Sequence, residues 1–354
     1  MKYVIQFLVW FIANRRWKGD VICVSEIMVT VVCTTYNQDK YIRKALEGIV
    51  SQKTNFRYEV LVHDDASTDQ TVAIINEYAE KYKGLIVPIL EEENQFSKGV
   101  RITKDMLIPL AKGKYIALCE GDDYWTDANK LQIQFDAMEQ HPECSICVHR
   151  VQGVSEDENK RLRTYPMKEM CTGILSAKEI MHRMLAEGEW VYHTTSYFFC
   201  KKDALEMSEN KYVFWIKAGY GDFSYMQMAA LKGDFYYIDQ IMSVYRMGAI
   251  GSLLRNDRNS ERFKEKNLRF INSVKDFDEV SQHRFHEDAK IAISRYQFQL
   301  AYVDNDYAVL LSPEMHEFWK AMPLRAKMKV RISYYLPCVN EIYRRLRYYI
   351  KGSR

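Results

Sequence analysis

From Ile27 onward, short β-branched apolar runs alternate with longer segments whose apolar residues recur at helical spacing. Ile27 to Cys33 is a run of strand length, ended by Thr34-Thr35-Tyr36-Asn37. Asp39 to Ser51 then puts Ile42, Leu46, Ile49 and Val50 on one stripe, the mark of an amphipathic helix. Tyr58 to Val62 predicts a second strand, ended by the polar His63-Asp64-Asp65-Ala66-Ser67-Thr68-Asp69. A second helix follows, with Val72, Ile75, Tyr78, Ala79 and Tyr82 in register. Leu85 to Leu90 predicts a third strand, Thr103 to Ala111 a helix, and Lys114 to Cys119 a fourth strand.

Helices of this length between strands imply right-handed crossovers and a largely parallel sheet. Ligands of such sheets bind beyond the carboxyl ends of the strands. Three polar clusters, Thr34 to Asn37, Asp64 to Asp69 and Glu120 to Asp123, follow successive strands and are therefore expected to converge. The last packs three carboxylates into four residues, Glu120-Gly121-Asp122-Asp123. Carboxylates that close repel one another unless a cation or solvent relieves them. Taken alone, they are equally an acidic turn leading into the next helix.

Further on, a helix is predicted from after Trp125 to Gln140, stopped by His141-Pro142, then a strand from Glu143 to Val151. The charged stretch Ser155 to Lys168 is expected as a surface excursion. Thr195 to Lys201 is strand-like and Asp203 to Glu209 a short helix. Gly219-Tyr220-Gly221-Asp222 opens a helix from Phe223 to Leu231, before a strand from Phe235 to Ile238. Beyond Tyr245-Arg246 the chain turns polar, then largely helical to Tyr307, with no internal repeat.

The 354 residues, 47% of them hydrophobic, can fill a sizeable core, and a net charge of +3 argues against a dedicated nucleic-acid binder. Eight scattered cysteines, mostly in apolar runs, read as buried thiols of a reducing compartment. Cys144-Ser-Ile-Cys147 has C-x-x-C spacing, but in a strand an odd offset sends the two sulfurs to opposite faces. The apolar run Tyr3 to Ala13 is too short to span a bilayer, which takes ~20 residues. Its basic residues follow the apolar core, the reverse of a signal peptide, so it reads as a peripheral or packed extension. At the other end, Leu324 to Arg354 interleaves Arg325, Lys327, Lys329, Arg331, Arg344, Arg345 and Arg347 with tyrosines and aliphatics. That pattern suits an anionic membrane surface, each basic residue adding ~1 kcal/mol; a basic helix packed on the fold is the alternative.

Val29-Thr-Val-Val-Cys-Thr-Thr-Tyr-Asn37, His63-Asp-Asp-Ala-Ser-Thr-Asp69, Glu120-Gly-Asp-Asp-Tyr-Trp125 and Gly221-Asp222 together resemble, in order and spacing, the motifs of the family 2 inverting glycosyltransferases of the bacterial surface-polysaccharide type. The resemblance covers Ile27 to Arg246. It implies an α/β GT-A fold: a Rossmann-like, mostly parallel sheet with flanking helices over 27–250. Residues 1–26 then form an apolar extension and 251–354 a largely helical C-terminal region. Thr34 and Tyr36 would contact the nucleotide, and Asp65 would accept a hydrogen bond from a base NH. Lys98 and Arg101 lie where the family often contacts phosphate. Asp122 and Asp123 would hold Mn²⁺ or Mg²⁺ and the ribose, with Glu120 behind them. Asp222 would be the general base, and His193 lies on the acceptor side. Many members carry a His after the Tyr-Arg pair; Met247-Gly248-Ala249 stands here instead, leaving Arg246 or water and diphosphate to fill that place.

The expected function is inverting transfer of a sugar from a nucleotide-diphosphate donor, UDP-linked, to a hydroxyl of a lipid-linked or growing surface glycan. The expected location is the cytoplasm, at the inner face of the plasma membrane. A non-catalytic nucleotide-sugar-binding scaffold is the alternative, and a sugar nucleotidyltransferase is disfavoured for want of a glycine-rich loop with Arg and Lys near the N-terminus. Oligomeric state has no signal in the sequence.

Overall fold

The computed structural model describes residues 26–217, 221–248 and 261–336. The apolar run at Tyr3 to Ala13, Cys23, Cys338 and the basic aromatic stretch beyond Leu336 lie outside the described residues.

Among the described residues ten strands form one sheet: β1 (Ile27–Thr35), β2 (Arg57–Asp64), β3 (Ile86–Leu90), β4 (Tyr115–Leu118), β5 (Tyr124–Trp125), β6 (Cys144–Ser155), β7 (Arg161–Tyr165), β8 (Gly173–Leu175), β9 (Phe198–Cys200) and β10 (Asp234–Met247). Their order is β3-β2-β1-β4-β9-β6-β10-β5, with β7 on β6 and β8 on β10. The first four strands are parallel, as the alternation with helices requires. β9 then runs antiparallel between β4 and β6, and β6 pairs in parallel with β10.

The longer helices are α1 (Ile42–Val50), α2 (Thr71–Lys81), α3 (Lys130–Gln140), α4 (Ala177–Leu185), α5 (Lys201–Glu209), α6 (Gly221–Lys232), α7 (Glu261–Val280), α8 (His286–Asp304) and α9 (Leu324–Tyr335). Alternation along the strands decides which face each covers. Val29, Val31 and Cys33 of β1 pack with Ile42, Leu46 and Ile49 of α1, Ile75 of α2 and Leu131 of α3. Val32 points the other way, into a cluster with Ile180 of α4, Met226 of α6, Phe277 of α7 and Ala289 of α8. Helices α7 and α8, beyond the expected boundary at residue 250, thus share the core of the sheet. A smaller cluster of Ala301, Leu310, Trp319 and Val330 anchors α9.

Several elements differ from the sequence pattern for local reasons. The helix expected over Thr103 to Ala111 is a wide π-type turn (Ile102–Leu107) followed by one turn of α-helix (Ile108–Leu110). Pro109 within it has no amide to donate. β10 runs on well past Ile238, because register shifts at Ile238, Ile241 and Ser243 absorb the exposed Asp239-Gln240 that breaks the apolar alternation. Another shift, between Cys144 and Ile146, adds a residue to β6 and overturns the expectation for the C-x-x-C pair. Cys144 and Cys147 lie in the same apolar cluster, both as free thiols whose ionisation burial pushes up to about 12. The charged excursion after Ser155 also returns to the sheet, as β7 paired antiparallel to β6.

Candidate active site

The polar clusters converge at the carboxyl edge of β1, β2 and β4. Thr34 pairs with His63 and Thr35 with Asp64 across β1 and β2. The Asp65 amide donates to the Thr35 carbonyl at 3.1 Å and the Gly121 amide to the Thr34 carbonyl at 2.9 Å. Gly121 permits this approach: a Cβ there would stand 2.5 Å from Gln38 Oε1 and 2.8 Å from Thr35 Cβ. Asp64 closes its turn by accepting from the Ser67 amide at 2.8 Å, with Ala66 in the left-handed region at φ 64°. Asp65 is buried and accepts from the Gln95 and Phe96 amides at 2.7 and 3.1 Å, one on each oxygen. Each oxygen keeps a lone pair for a further donor. The Tyr36 ring, 42% exposed, stands at the rim.

The acidic motif is held from below by Arg246. Its backbone amide donates to Asp123 Oδ1 at 3.0 Å, and its guanidinium donates to the Asp122 carbonyl and to Glu158 at 2.6 Å. Its charge lies over the rings of Tyr41 and Tyr124, and the side chain is 3% exposed. Glu158 belongs to the stretch expected as a solvated excursion; it also takes hydrogen bonds from Lys44 at 2.5 Å and Tyr124 at 2.9 Å. Burial raises its carboxyl, but these donors outweigh that and hold it down to about 2. Arg246 is therefore a support for the acidic loop.

His193 approaches the acidic motif from the turn that precedes β9. Its Nδ1 lies 3.6 Å from Asp123 Oδ2, and its ring stacks on Tyr245 at 3.9 Å between centroids. The turn that carries it is pinned by Trp125 Nε1 to the Thr195 carbonyl at 3.2 Å and Gln134 to the Ser196 carbonyl at 2.8 Å. Burial lowers its pKa to about 3, so the imidazole is neutral at physiological pH, the form that ligates metals.

Glu120, Asp123 and His193 each offer a ligand atom, all within 4.8 Å of one another. Asp123 Oδ2 is buried without a hydrogen-bond partner among the described residues, as are the nearby Thr35 Oγ1 and Gln38 Oε1. Burial, then repulsion from Asp122 and Glu120, holds Asp123 well above the usual carboxylate range; burial and Asp122 push Glu120 up to about 7. Orphaned acceptors, mutually repelling acids and a neutral imidazole fit a divalent cation. The resemblance pairs Asp122 with Asp123 at the metal; Asp123 also stands with Glu120 and His193 in a group of ligand atoms to which Asp122 does not belong.

Asp222 lies in the first turn of α6, and its charge adds, after burial and Asp122, to what raises Glu120. The packing around its carboxyl pushes it up to about 6, against the Phe223 amide at 3.1 Å and the charges of Lys104 and Lys266. Lys104 escaped the sequence reading. It is 6% exposed, with its ammonium 3.9 Å from the Trp215 ring and donating to Ser224 and to the Trp215 carbonyl at 3.1 Å. The only hint was a lysine between Ile102 and Leu107 in an apolar segment. Lys98 and Arg101 are ion-paired at the surface with Glu93 and Asp105, so phosphate contact by either requires exchange of partner.

A mostly parallel sheet with flanking helices, its polar loops converging at the carboxyl edge, is the architecture of the GT-A fold. Residues 30–206, half of the chain, match glycosyl transferase family 2, and the chain belongs to that family. It is 46% identical over 132 residues to an uncharacterized protein of Mycobacterium tuberculosis, covering 37% of each chain. It is 32% identical over 112 residues to the UDP-Glc:alpha-D-GlcNAc-diphosphoundecaprenol beta-1,3-glucosyltransferase WfaP of Escherichia coli, covering 32% of this chain and 41% of that protein. These matches span less than half the length of either relative. Residues 1–349 of S. aureus TarS, solved in complex with UDP-GlcNAc, share the fold with a TM-score of 0.54 at 17% identity, over 87% of this chain and 92% of that one.

Proposed function

We propose that the protein is an inverting glycosyltransferase that moves a sugar from a UDP-sugar to a hydroxyl of a lipid-linked or growing surface glycan. The observation that carries this reading is the Glu120–Asp123–His193 group at the carboxyl edge of the sheet, with Asp222, a carboxylate of raised pKa, near enough for its charge to act on Glu120. Tyr36 stacks against the base, Thr34 meets the nucleoside, and Asp65 accepts the base NH with its free lone pairs. Asp123, Glu120 and His193 hold Mn²⁺ or Mg²⁺, and Asp122 faces the ribose. When bound, the cation neutralises the diphosphate as it leaves.

In a single displacement the acceptor oxygen bonds to the anomeric carbon as the bond to the diphosphate breaks, and the hydroxyl proton passes to Asp222. A carboxyl that titrates at about 6 is mostly ionised at pH 7 and more basic than an ordinary Asp, which suits this task. Arg246 positions the acidic loop, and Lys104, whose pKa burial lowers well below the usual lysine range, donates a hydrogen bond to Ser224 in the first turn of α6. The UDP in the TarS complex and the UDP-glucose and diphosphoundecaprenol in the WfaP name motivate the donor and acceptor classes.

Residues 27–250 are the catalytic unit in this reading, and the C-terminal region meets the bilayer at the inner face of the plasma membrane. Leu324, Met328 and Tyr335 of α9 are 73%, 55% and 67% exposed beside the exposed Arg325 and Lys329, which favours that contact. Among the described residues no helix is long and apolar enough to cross a membrane.

The test is UDP-sugar turnover by Asp222→Asn with Mn²⁺ present. Retained UDP binding with transfer abolished supports the reading. Unchanged turnover removes Asp222 as base, and UDP-sugar binding by the unaltered protein with no transfer to any lipid-linked or glycan acceptor favours a scaffold.

A further inference from the structure

A second cluster of metal-ligating side chains lies far along the chain from the acidic loop, at the elbow between α7 and α8. Asp278 ends α7, His283 sits in the connecting turn and His286 begins α8. Gln282 and His283 both adopt left-handed backbone conformations, at φ 55° and 62°, which fold the turn back over Asp278. The Nδ1 atoms of His283 and His286 lie 3.0 and 2.8 Å from the same oxygen, Asp278 Oδ2. The three ligand atoms are all within 4.8 Å of one another. Independently of these contacts, Asp278 is 8% exposed, and its other oxygen, Oδ1, has no hydrogen-bond partner among the described residues.

We propose that Asp278, His283 and His286 form a zinc site that clasps the α7–α8 elbow. Two imidazoles and one carboxylate suit borderline Zn²⁺; Mg²⁺ and Ca²⁺ prefer all-oxygen shells. Ligands ~2.0–2.1 Å from a tetrahedral ion stand about 3.3 Å from each other, so the two imidazoles need to withdraw from the carboxylate by only a few tenths of an ångström. Side chains that are 63% and 43% exposed let each imidazole carry its proton on the outer Nε2 and leave room for water as the fourth ligand. The ion would fix a joint that the fold uses on both sides. Asp276 of α7 accepts from the Phe214 amide at 2.9 Å, and Asp288 of α8 pairs with His182 of α4 at 2.8 Å.

The test measures Zn²⁺ binding by the chelator-stripped, tag-free full chain and by His283→Ala and His286→Ala, with thermal unfolding alongside. Both histidines are exposed enough for the variants to fold, and a wild-type melting temperature without metal confirms it. The expected result is one zinc equivalent bound at least about tenfold more weakly by either variant, with the zinc-induced rise in Tm abolished. His193→Ala keeps that equivalent, which separates this site from the acidic loop. In the Co²⁺-loaded wild type, the visible absorption of four-coordinate cobalt appears and is lost in His286→Ala. Equal zinc stoichiometry and affinity in wild type and variants, or no zinc bound at the elbow, overturns the proposal and leaves Asp278 as a hydrogen-bond acceptor for the turn.

Discussion

His193 Nδ1 stands 3.6 Å from Asp123 Oδ2, so an imidazole from the turn before β9 reaches the acidic motif at the end of the neighbouring strand β4. Arg246 contributes its backbone amide and guanidinium to the same loop, and Met247-Gly248-Ala249 follows it with no histidine. His193→Ala is therefore expected to weaken the apparent affinity for Mn²⁺ by roughly tenfold to a hundredfold while the fold is retained. Calorimetric titration of Mn²⁺ into the UDP-bound protein checks this, and unchanged affinity removes His193 from the metal group.

Asp222 predicts a pH profile. Its pKa is raised, to about 6, and the base works only when ionised. Log kcat/KM should fall with unit slope as pH drops through about 6 and should be level above it. Asp222→Asn is expected to lower kcat by about 10²–10⁴-fold and to flatten that acidic limb. The stability sign is opposite: with the folded pKa above the unfolded one, the ionised carboxylate disfavours folding above pH 6. The Asn variant should then melt no lower than wild type at pH 7.5.

Arg246→Ala should unfold more easily. The side chain is 3% exposed, and its loss leaves the Asp122 carbonyl without this donor and Glu158 with only Lys44 and Tyr124. Breaking a buried pair costs 3–5 kcal/mol, and the 29% exposure of Glu158 discounts that to on the order of 2–3 kcal/mol. Urea denaturation at pH 7 measures it. Glu158 has a depressed pKa, so the stability that it adds is complete above about 4.5 and lost as pH falls through about 2; Arg246→Ala should melt with less dependence on pH across that window.

Gly121→Ala forces a methyl to within 2.5 Å of Gln38 Oε1 and 2.8 Å of Thr35 Cβ. The Gln38 end can swing away, but β1 cannot, so the acidic loop lifts from Thr34. The expected outcome is weaker UDP binding with Mn²⁺, read by calorimetry, and a lower Tm. Native affinity would show that the close approach is dispensable.

Charge reversal on α9 tests the membrane reading without disturbing its anchor, since Val330 and Trp319 stay in place. Arg325→Glu with Lys329→Glu should reduce co-sedimentation with anionic vesicles at low salt and leave turnover on a soluble acceptor unchanged. Equal vesicle binding assigns α9 to the fold alone.

The parallel half of the sheet was legible because period-two and period-3.6 patterns alternate cleanly from Ile27 to Leu118, and a parallel sheet fixes which strand ends meet. That rule alone brings the Thr34, Asp65 and Gly121 loops together from the sequence. The second half was less legible. A bulge at Ser145 reversed the facing of Cys144, the polar Asp239-Gln240 hid the length of β10, and β9 entered the sheet antiparallel between distant segments. The same limit governed the site. Acids adjacent in sequence declare themselves, whereas the burial of Lys104, the Glu158–Arg246 pair and the approach of His193 to Asp123 depend on which remote surfaces pack together. Local periodicity carries no information about such contacts, because burial and long-range packing, not spacing along the chain, determine a lone side chain's partners and its protonation.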